Sequence, residues 1–127
     1  MDDELIKKIA ISIETEYVPS HSSDEDSKYF FAYAVTIKNQ SAINIQLLSR
    51  HWKIVNSNGA EKSIEGIGVV GEQPIIYSGE DYTYTSATEI DTPVGHMYGI
   101  YSMETEYGER FDAEIPKFHL IMPRNLH

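Results

Sequence analysis

The sequence predicts an all-β sandwich, and three of its features support that prediction. Apolar residues recur with a period near two along most of the chain, as in strands that bury one face. Turn-forming residues separate these runs at short, nearly regular intervals. A helical stripe is missing everywhere except for a short turn over residues 2–7. Together these features predict about seven to eight antiparallel strands, in an immunoglobulin-like or fibronectin type III-like arrangement.

The first half of the chain holds the clearest strand signals. Ile9, Ile11 and Ile13 alternate with polar residues and predict a first strand. A second strand is predicted over residues 29–37, where every second position is Tyr, Phe, Val or Ile. The serine-rich and acidic segment 19–27 is expected to be a long flexible loop between them.

The third strand is predicted to carry a β-bulge. It begins at Ile43, and its apolar phase switches between Leu47 and Leu48. One extra residue at that point would produce the switch. Beyond it Trp52 faces the core, and Arg50 shares that face. Because a buried arginine is normally paired, we expect Arg50 to form a structural ion pair.

The second half of the chain continues the pattern of strands and turns. Asn and Gly in segment 56–59 tolerate positive φ and predict a tight turn. Further strands are predicted around 82–85, 94–103, 111–115 and 118–122. Pro116 is expected to separate the last two, since proline cannot donate to a sheet ladder.

The charge balance limits the classes of partner. Twenty acidic residues against ten basic ones give a formal net charge of −10. Such a surface repels nucleic acid phosphates and anionic membranes, so we expect neither as a partner. The N-terminus is acidic, unlike a secretory signal, and no apolar run reaches the roughly 18 residues of a membrane span. We therefore expect a cytoplasmic protein.

The sequence contains no recognisable catalytic, cofactor or metal motif. The chain lacks cysteine, which excludes thiolate catalysis and cysteine-ligated metals. No Gly-x-Ser-x-Gly element occurs, and no spacing singles out an acid/base pair of carboxylates. The five histidines lack compact ligand spacing, although His51 and His96 could meet across strands. We expect a protein that is not an enzyme and needs no cofactor.

Residues 66–72 form the most distinctive candidate site. Gly66, Gly68 and Gly71 match the spacing of a dinucleotide fingerprint, but that motif needs a helix that opens at its last glycine. Here Glu72 follows, and its carboxylate opposes a pyrophosphate. An irregular loop is the better interpretation, with two exposed valines as an apolar tip for a partner's groove. The candidate partner-binding residues are Gly66, Gly68, Val69, Val70, Gly71 and Glu72.

The chain resembles the ApaG family. The most diagnostic segments are Ser49-Arg50-His51-Trp52 and Gly68-Val69-Val70-Gly71-Glu72-Gln73-Pro74. The matching segments cover nearly the whole chain, so we expect one ApaG-like domain over residues 1–127. The resemblance implies a fibronectin-type β-sandwich. It also implies protein–protein contact, because ApaG-like domains occur fused inside eukaryotic F-box proteins and a DNA-polymerase-interacting protein. Bacterial members are linked to cobalt tolerance and magnesium efflux.

Two functions from different classes remain open. The leading hypothesis is a non-enzymatic module that binds a protein partner, with an indirect role in cobalt and magnesium homeostasis. The alternative is a small-ligand sensor that binds a divalent cation, a nucleotide or pyrophosphate at the loop from Gly66 to Gly71. An unpaired edge strand could also mediate a homodimer.

Overall fold

The computed structural model describes residues 3–123 and contains one short helix and eight strands within that range. A 3₁₀ turn, Pro19–His21, lies in the loop between the first two strands. The elements are α1 (Asp3–Lys7), β1 (Ile9–Tyr17), β2 (Tyr29–Asn39), β3 (Ile45–Asn56), β4 (Glu61–Ile67), β5 (Ile75–Ile76), β6 (Asp81–Ile90), β7 (Val94–Thr105) and β8 (Arg110–Ile121).

The strands form two antiparallel sheets. One sheet has the order β1-β2-β6, and the other has the order β4-β3-β7-β8, with β5 pairing β3 beyond the end of β4. The predicted all-β sandwich and its strand count are therefore confirmed. The predicted turn near the N-terminus is helix α1, while Asp2 lies outside the described residues.

The core lies between the sheets and is centred on Trp52. Along β2 every second side chain is buried, as its alternation predicts. Trp52 is buried and meets the rings of Tyr33, Tyr101 and Phe118 edge-on, at centroid separations of 5.7, 6.1 and 5.8 Å. Such aromatic pairs add about 0.5–1.5 kcal/mol each beyond the area they bury.

The predicted bulge in β3 is present. Leu47 pairs with Met103 and Ser49 pairs with Ser102, so Leu48 is the extra residue. The bulge also marks a change of neighbour on the other side of β3. Before it, β3 pairs with the two-residue strand β5, and after it β3 pairs with β4. The chain between β4 and β5 is therefore placed directly beside the bulge.

Two sequence predictions about strands are wrong. Pro116 does not separate two strands, since β8 runs through it. The β7–β8 register shifts between Met97 and Gly99, opposite Pro116, and β8 is an edge strand, so the missing N–H is tolerated there. The second wrong prediction is the start of β3, which begins at Ile45 rather than Ile43. Strands β4 and β5 are not predicted from the sequence at all.

Among residues 3–123, no helix is long and apolar enough to cross a membrane.

Candidate interaction site

The loop between β4 and β5 closes in a tight hairpin. The amides of Val69 and Glu72 each donate to the other residue's carbonyl, at 2.8 and 3.0 Å. Val70 and Gly71 form the two-residue turn between them, with φ of +44° and +82°. Positive φ at both positions is typical of a type I′ turn. Glycine adopts this conformation freely, but for a β-branched residue such as Val70 it is a clear outlier.

The two valines of the hairpin point in opposite directions. Val69 is fully buried and belongs to the hydrophobic core, whereas Val70 is 55% exposed. The prediction that both valines are exposed is therefore wrong for Val69. The alternation of β4 does not continue into the hairpin, since Ile67 is exposed while Val69, two residues later, is buried. Val69 anchors the loop, and Val70 is its exposed tip.

Arg50, on β3, is hydrogen-bonded to the start of this loop. Its Nη1 donates to the carbonyl oxygens of Gly68 and Ile67, at 2.7 and 3.3 Å. The guanidinium group lies so close to Gly66 that a Cβ there would be 2.7 Å from three of its atoms. Gly66 itself belongs to β4 rather than to an irregular loop. The predicted ion pair of Arg50 is replaced, in the described part of the chain, by these two carbonyl acceptors.

Further hydrogen bonds fix the rest of the loop. The Gly68 amide donates to the carbonyl of the bulge residue Leu48 at 2.7 Å, and Gln73 Nε2 donates to the same oxygen at 3.0 Å. A Cβ on Gly68 would lie 2.0 Å from the carbonyl oxygen of Glu72, so no larger residue fits. The Tyr82 hydroxyl on β6 donates to the Glu72 carboxylate at 3.2 Å. The loop is thus tied to both sheets.

Three buried tyrosines, Tyr33, Tyr84 and Tyr101, lie within range of the positive charge of Arg50. The hydroxyls of Tyr84 and Tyr101 are hydrogen-bonded to each other across the core. Burial raises the pKa of both groups well above the usual tyrosine range, and the charge of Arg50 opposes the shift in each. Burial also raises the pKa of Tyr33. The hydroxyls therefore stay protonated at neutral pH, and none supplies a negative charge to Arg50.

The loop lacks the structure of a dinucleotide-binding motif. Such a motif places a helix N-terminus directly after its last glycine, but here the chain continues from Gly71 into β5. Three of the loop's amides, those of Gly68, Val69 and Glu72, already donate to protein carbonyls.

Several exposed apolar side chains accompany Val70 along this edge. Ile67 is 78% exposed, and Ile75 and Tyr77 are half exposed. Ile67 lies opposite Ser49 and Ile75 lies opposite Gln46, so both face outward on the five-stranded sheet. We call this surface the edge patch; its residues are Ile67, Val70, Ile75 and Tyr77. Of these residues the sequence predicted only Val70. The other three lie on strands β4 and β5 or just after them, and neither strand was predicted.

The histidines give no metal centre among residues 3–123. His51 lies opposite Ile100 on β7, while His96 lies opposite Val55 on β3. They line the same surface concavity of about 910 Å³ without meeting. His96 instead faces His119, with ring centroids 6.2 Å apart, and burial, Lys117 and His119 lower its pKa. In the part of the chain that the structure describes, no group of three or more His, Asp or Glu side chains could hold an ion.

Comparison with known proteins decides the family. The family model of the ApaG domain matches residues 19–105. The chain belongs to the ApaG domain family. ApaG proteins from Nitrosospira multiformis and Vibrio vulnificus are 47% and 48% identical over 120 residues, which cover 94% of this chain and 94% and 95% of theirs. The ApaG protein of Shewanella denitrificans is 50% identical over 118 residues, 93% of this chain and 94% of its own.

Solved structures of relatives share this sandwich. An X-ray structure of a structural genomics target is 46% identical, covers 97% of this chain and 93% of its own, and has a TM-score of 0.90. A crystal structure from Bordetella pertussis, described as an ApaA protein, is 38% identical, with a TM-score of 0.89 and coverage of 92% and 95%. The ApaG domain of this chain therefore has the fold of solved relatives.

Proposed function

We propose that this ApaG domain is a non-enzymatic binding module that captures a protein partner through the edge patch. The observation that carries the proposal is Val70, a β-branched residue with positive φ whose side chain is 55% exposed. A strained conformation of this kind costs about 1–3 kcal/mol and persists only where its surroundings impose it. Here the surroundings hold an apolar side chain in water, which is what a contact surface requires.

The rigidity of the loop supports the same proposal. Val69 is anchored in the core, Arg50 holds the base, and Tyr82 ties Glu72 to the second sheet. A loop that is already ordered loses little conformational entropy when a partner binds. Loops on a rigid sandwich are a common place for binding surfaces.

Affinity capture from a cell lysate tests the proposal. The wild-type chain and the variants Val70→Asp and Val70→Asn are immobilised, and retained proteins are quantified by mass spectrometry. We expect a protein that the wild type enriches and both variants lose. Asparagine tolerates positive φ, so Val70→Asn removes the apolar contact without added strain. Urea denaturation checks that this variant stays folded, so that a reduced capture reports the lost apolar contact.

The matched control is Val94→Asp, which changes another exposed valine, at the start of β7. We expect Val94→Asp to retain the partner. A specific partner that Val70→Asp and Val70→Asn capture as well as the wild type would refute the edge patch as the contact surface.

A further inference from the structure

A second concavity lies at one end of the five-stranded sheet, next to the edge patch. It has a volume of about 450 Å³ and opens between β3, β5 and the turn that joins β7 to β8. Two of its lining residues, Ile75 and Tyr77, belong to the edge patch. Tyr107, on the turn, is 72% exposed. We call this concavity the acidic hollow; the lining residues that matter here are Ile75, Tyr77, Glu104, Glu106 and Tyr107.

Every charged side chain that lines the acidic hollow is a carboxylate. Glu106 is held in place, because its Oε1 accepts from the Asn44 amide at 2.8 Å while its own amide donates to the Asn44 carbonyl at 3.0 Å. Glu104 is 3.6 Å from Nε of Arg110, a side chain that is mostly exposed to water. Such an exposed ion pair is weak and can exchange for another cation.

The apolar walls of the hollow suit the same kind of group. The rings of Tyr77 and Tyr107 offer faces that attract an ammonium or guanidinium ion. Ile75 offers apolar surface against which the aliphatic stem of a lysine or arginine can pack. The net charge of −10 also favours a basic partner at long range.

We propose that the acidic hollow receives a lysine or arginine side chain from a basic segment of a partner protein. An apolar residue of the same segment packs on the adjoining edge patch. This inference rests on the proposed function and adds to it the chemistry of the partner. The edge patch supplies apolar contact, and the hollow supplies the preference for positive charge.

An NMR titration tests the chemistry directly. The ¹⁵N-labelled chain is titrated with a capped seven-residue peptide that contains two arginines and one leucine in a glycine and serine background. A matched peptide carries citrulline, which has nearly the shape of arginine without its charge. At equal concentration, we expect the arginine peptide to shift the amides of residues 75–77 and 104–108 much more than the citrulline peptide does.

Charge variants locate the site. The double variant Glu104→Gln with Glu106→Gln keeps an oxygen that can accept from the Asn44 amide, and we expect it to raise the peptide Kd about fivefold. Glu14→Gln with Glu16→Gln removes the same charge from β1 on the other sheet and is expected to change Kd less than twofold. Arg110→Gln breaks the Glu104 contact without removing a carboxylate, so binding should be as tight as in the wild type or tighter.

The titrations and the lysate capture can each overturn the inference. Equal shifts with both peptides would show that charge is not recognised, and equal losses in both double variants would show only an effect of net charge. Shifts of the same amides by Mg²⁺ but not by the arginine peptide would make the hollow a cation site. Lysate capture separates this inference from the proposed function. If Val70→Asn loses a partner that the Glu104 and Glu106 double variant retains, the proposed binding module is supported and the basic segment is refuted. If Val70→Asn and the double variant both retain the partner, the edge patch and the acidic hollow are both refuted as contact surfaces.

Discussion

Arg50 Nη1 donates to the carbonyl oxygen of Gly68 at 2.7 Å, and this hydrogen bond joins an interior strand to the hairpin that carries Val70. The guanidinium group reaches the carbonyl because Gly66 has no side chain in its path. The bulge at Leu48 sets the phase of β3 that directs Arg50 inward. The bulge at Leu48, the Arg50 side chain and the glycines at positions 66 and 68 thus act together to support the exposed tip of the loop.

Replacing the arginine should loosen the loop while the sandwich stays folded. We expect Arg50→Ala to lower the free energy of unfolding by about 2 kcal/mol, because hydrogen bonds from a charged donor contribute about 1.5–3 kcal/mol. Amide hydrogen exchange should quicken at Gly68 and Val69 but not in β2. Equal protection of these amides in variant and wild type would contradict the support role of Arg50.

Adding one methyl group at Gly66 should have a similar effect through sterics. A Cβ there would meet the guanidinium group at 2.7 Å, so Gly66→Ala must displace Arg50. The displaced atoms are the end of a flexible side chain, so we expect the loss, about 1–2 kcal/mol, to come from the two hydrogen bonds that Arg50 gives up. In the Arg50→Ala background the same substitution should cost much less. A double-mutant cycle measures this coupling, and a coupling near zero would show that the two residues act independently.

Relieving the strain at Val70 should stabilise the fold. Val70→Asn places a residue that tolerates positive φ at a position with φ of +44°. We expect the free energy of unfolding to rise by about 1 kcal/mol, measured by urea denaturation. Val94→Asn, on a regular strand, should not stabilise the chain. Stabilisation at Val70 together with loss of partner capture would show that the strain serves binding.

Much of the fold could be predicted from the sequence, because most strands bury one face and therefore alternate apolar and polar residues. Strand β2 and the bulge at Leu48 follow from the spacing of apolar residues alone. Strand β4 is an edge strand whose residues are nearly all exposed, so its sequence carries no one-sided apolar pattern. An alternating apolar pattern thus reveals strands that bury one face, and it misses strands that bury neither face.

The candidate site and the acidic hollow were harder to predict, for three physical reasons. Val69 and Val70 have the same side chain, and only the type I′ turn assigns one to the core and the other to water. Arg50 was predicted to face inward, but its acceptors are backbone carbonyls, which every residue possesses and no sequence pattern marks. The acidic hollow gathers residues from three distant segments, so its charge does not show as a local run.

Stability at alkaline pH should depend on the buried tyrosine pair. Burial holds the pKa of Tyr101 above its usual value, so the unfolded chain loses this proton at a lower pH than the folded one. Because the unfolded state then binds fewer protons, stability must fall as the pH rises above about 10. Each such group contributes a slope of up to about 1.4 kcal/mol per pH unit.

Tyr101→Phe isolates that contribution. At pH 7 we expect the variant to be less stable by about 1 kcal/mol, because it loses the hydrogen bond to Tyr84. Between pH 10 and pH 11 the difference should shrink or reverse, since phenylalanine has no proton to lose. Tyr107→Phe, which changes an exposed tyrosine, should keep the slope of the wild type. Urea denaturation at a series of pH values measures both, and parallel curves for wild type and Tyr101→Phe would show that this hydroxyl does not couple folding to pH.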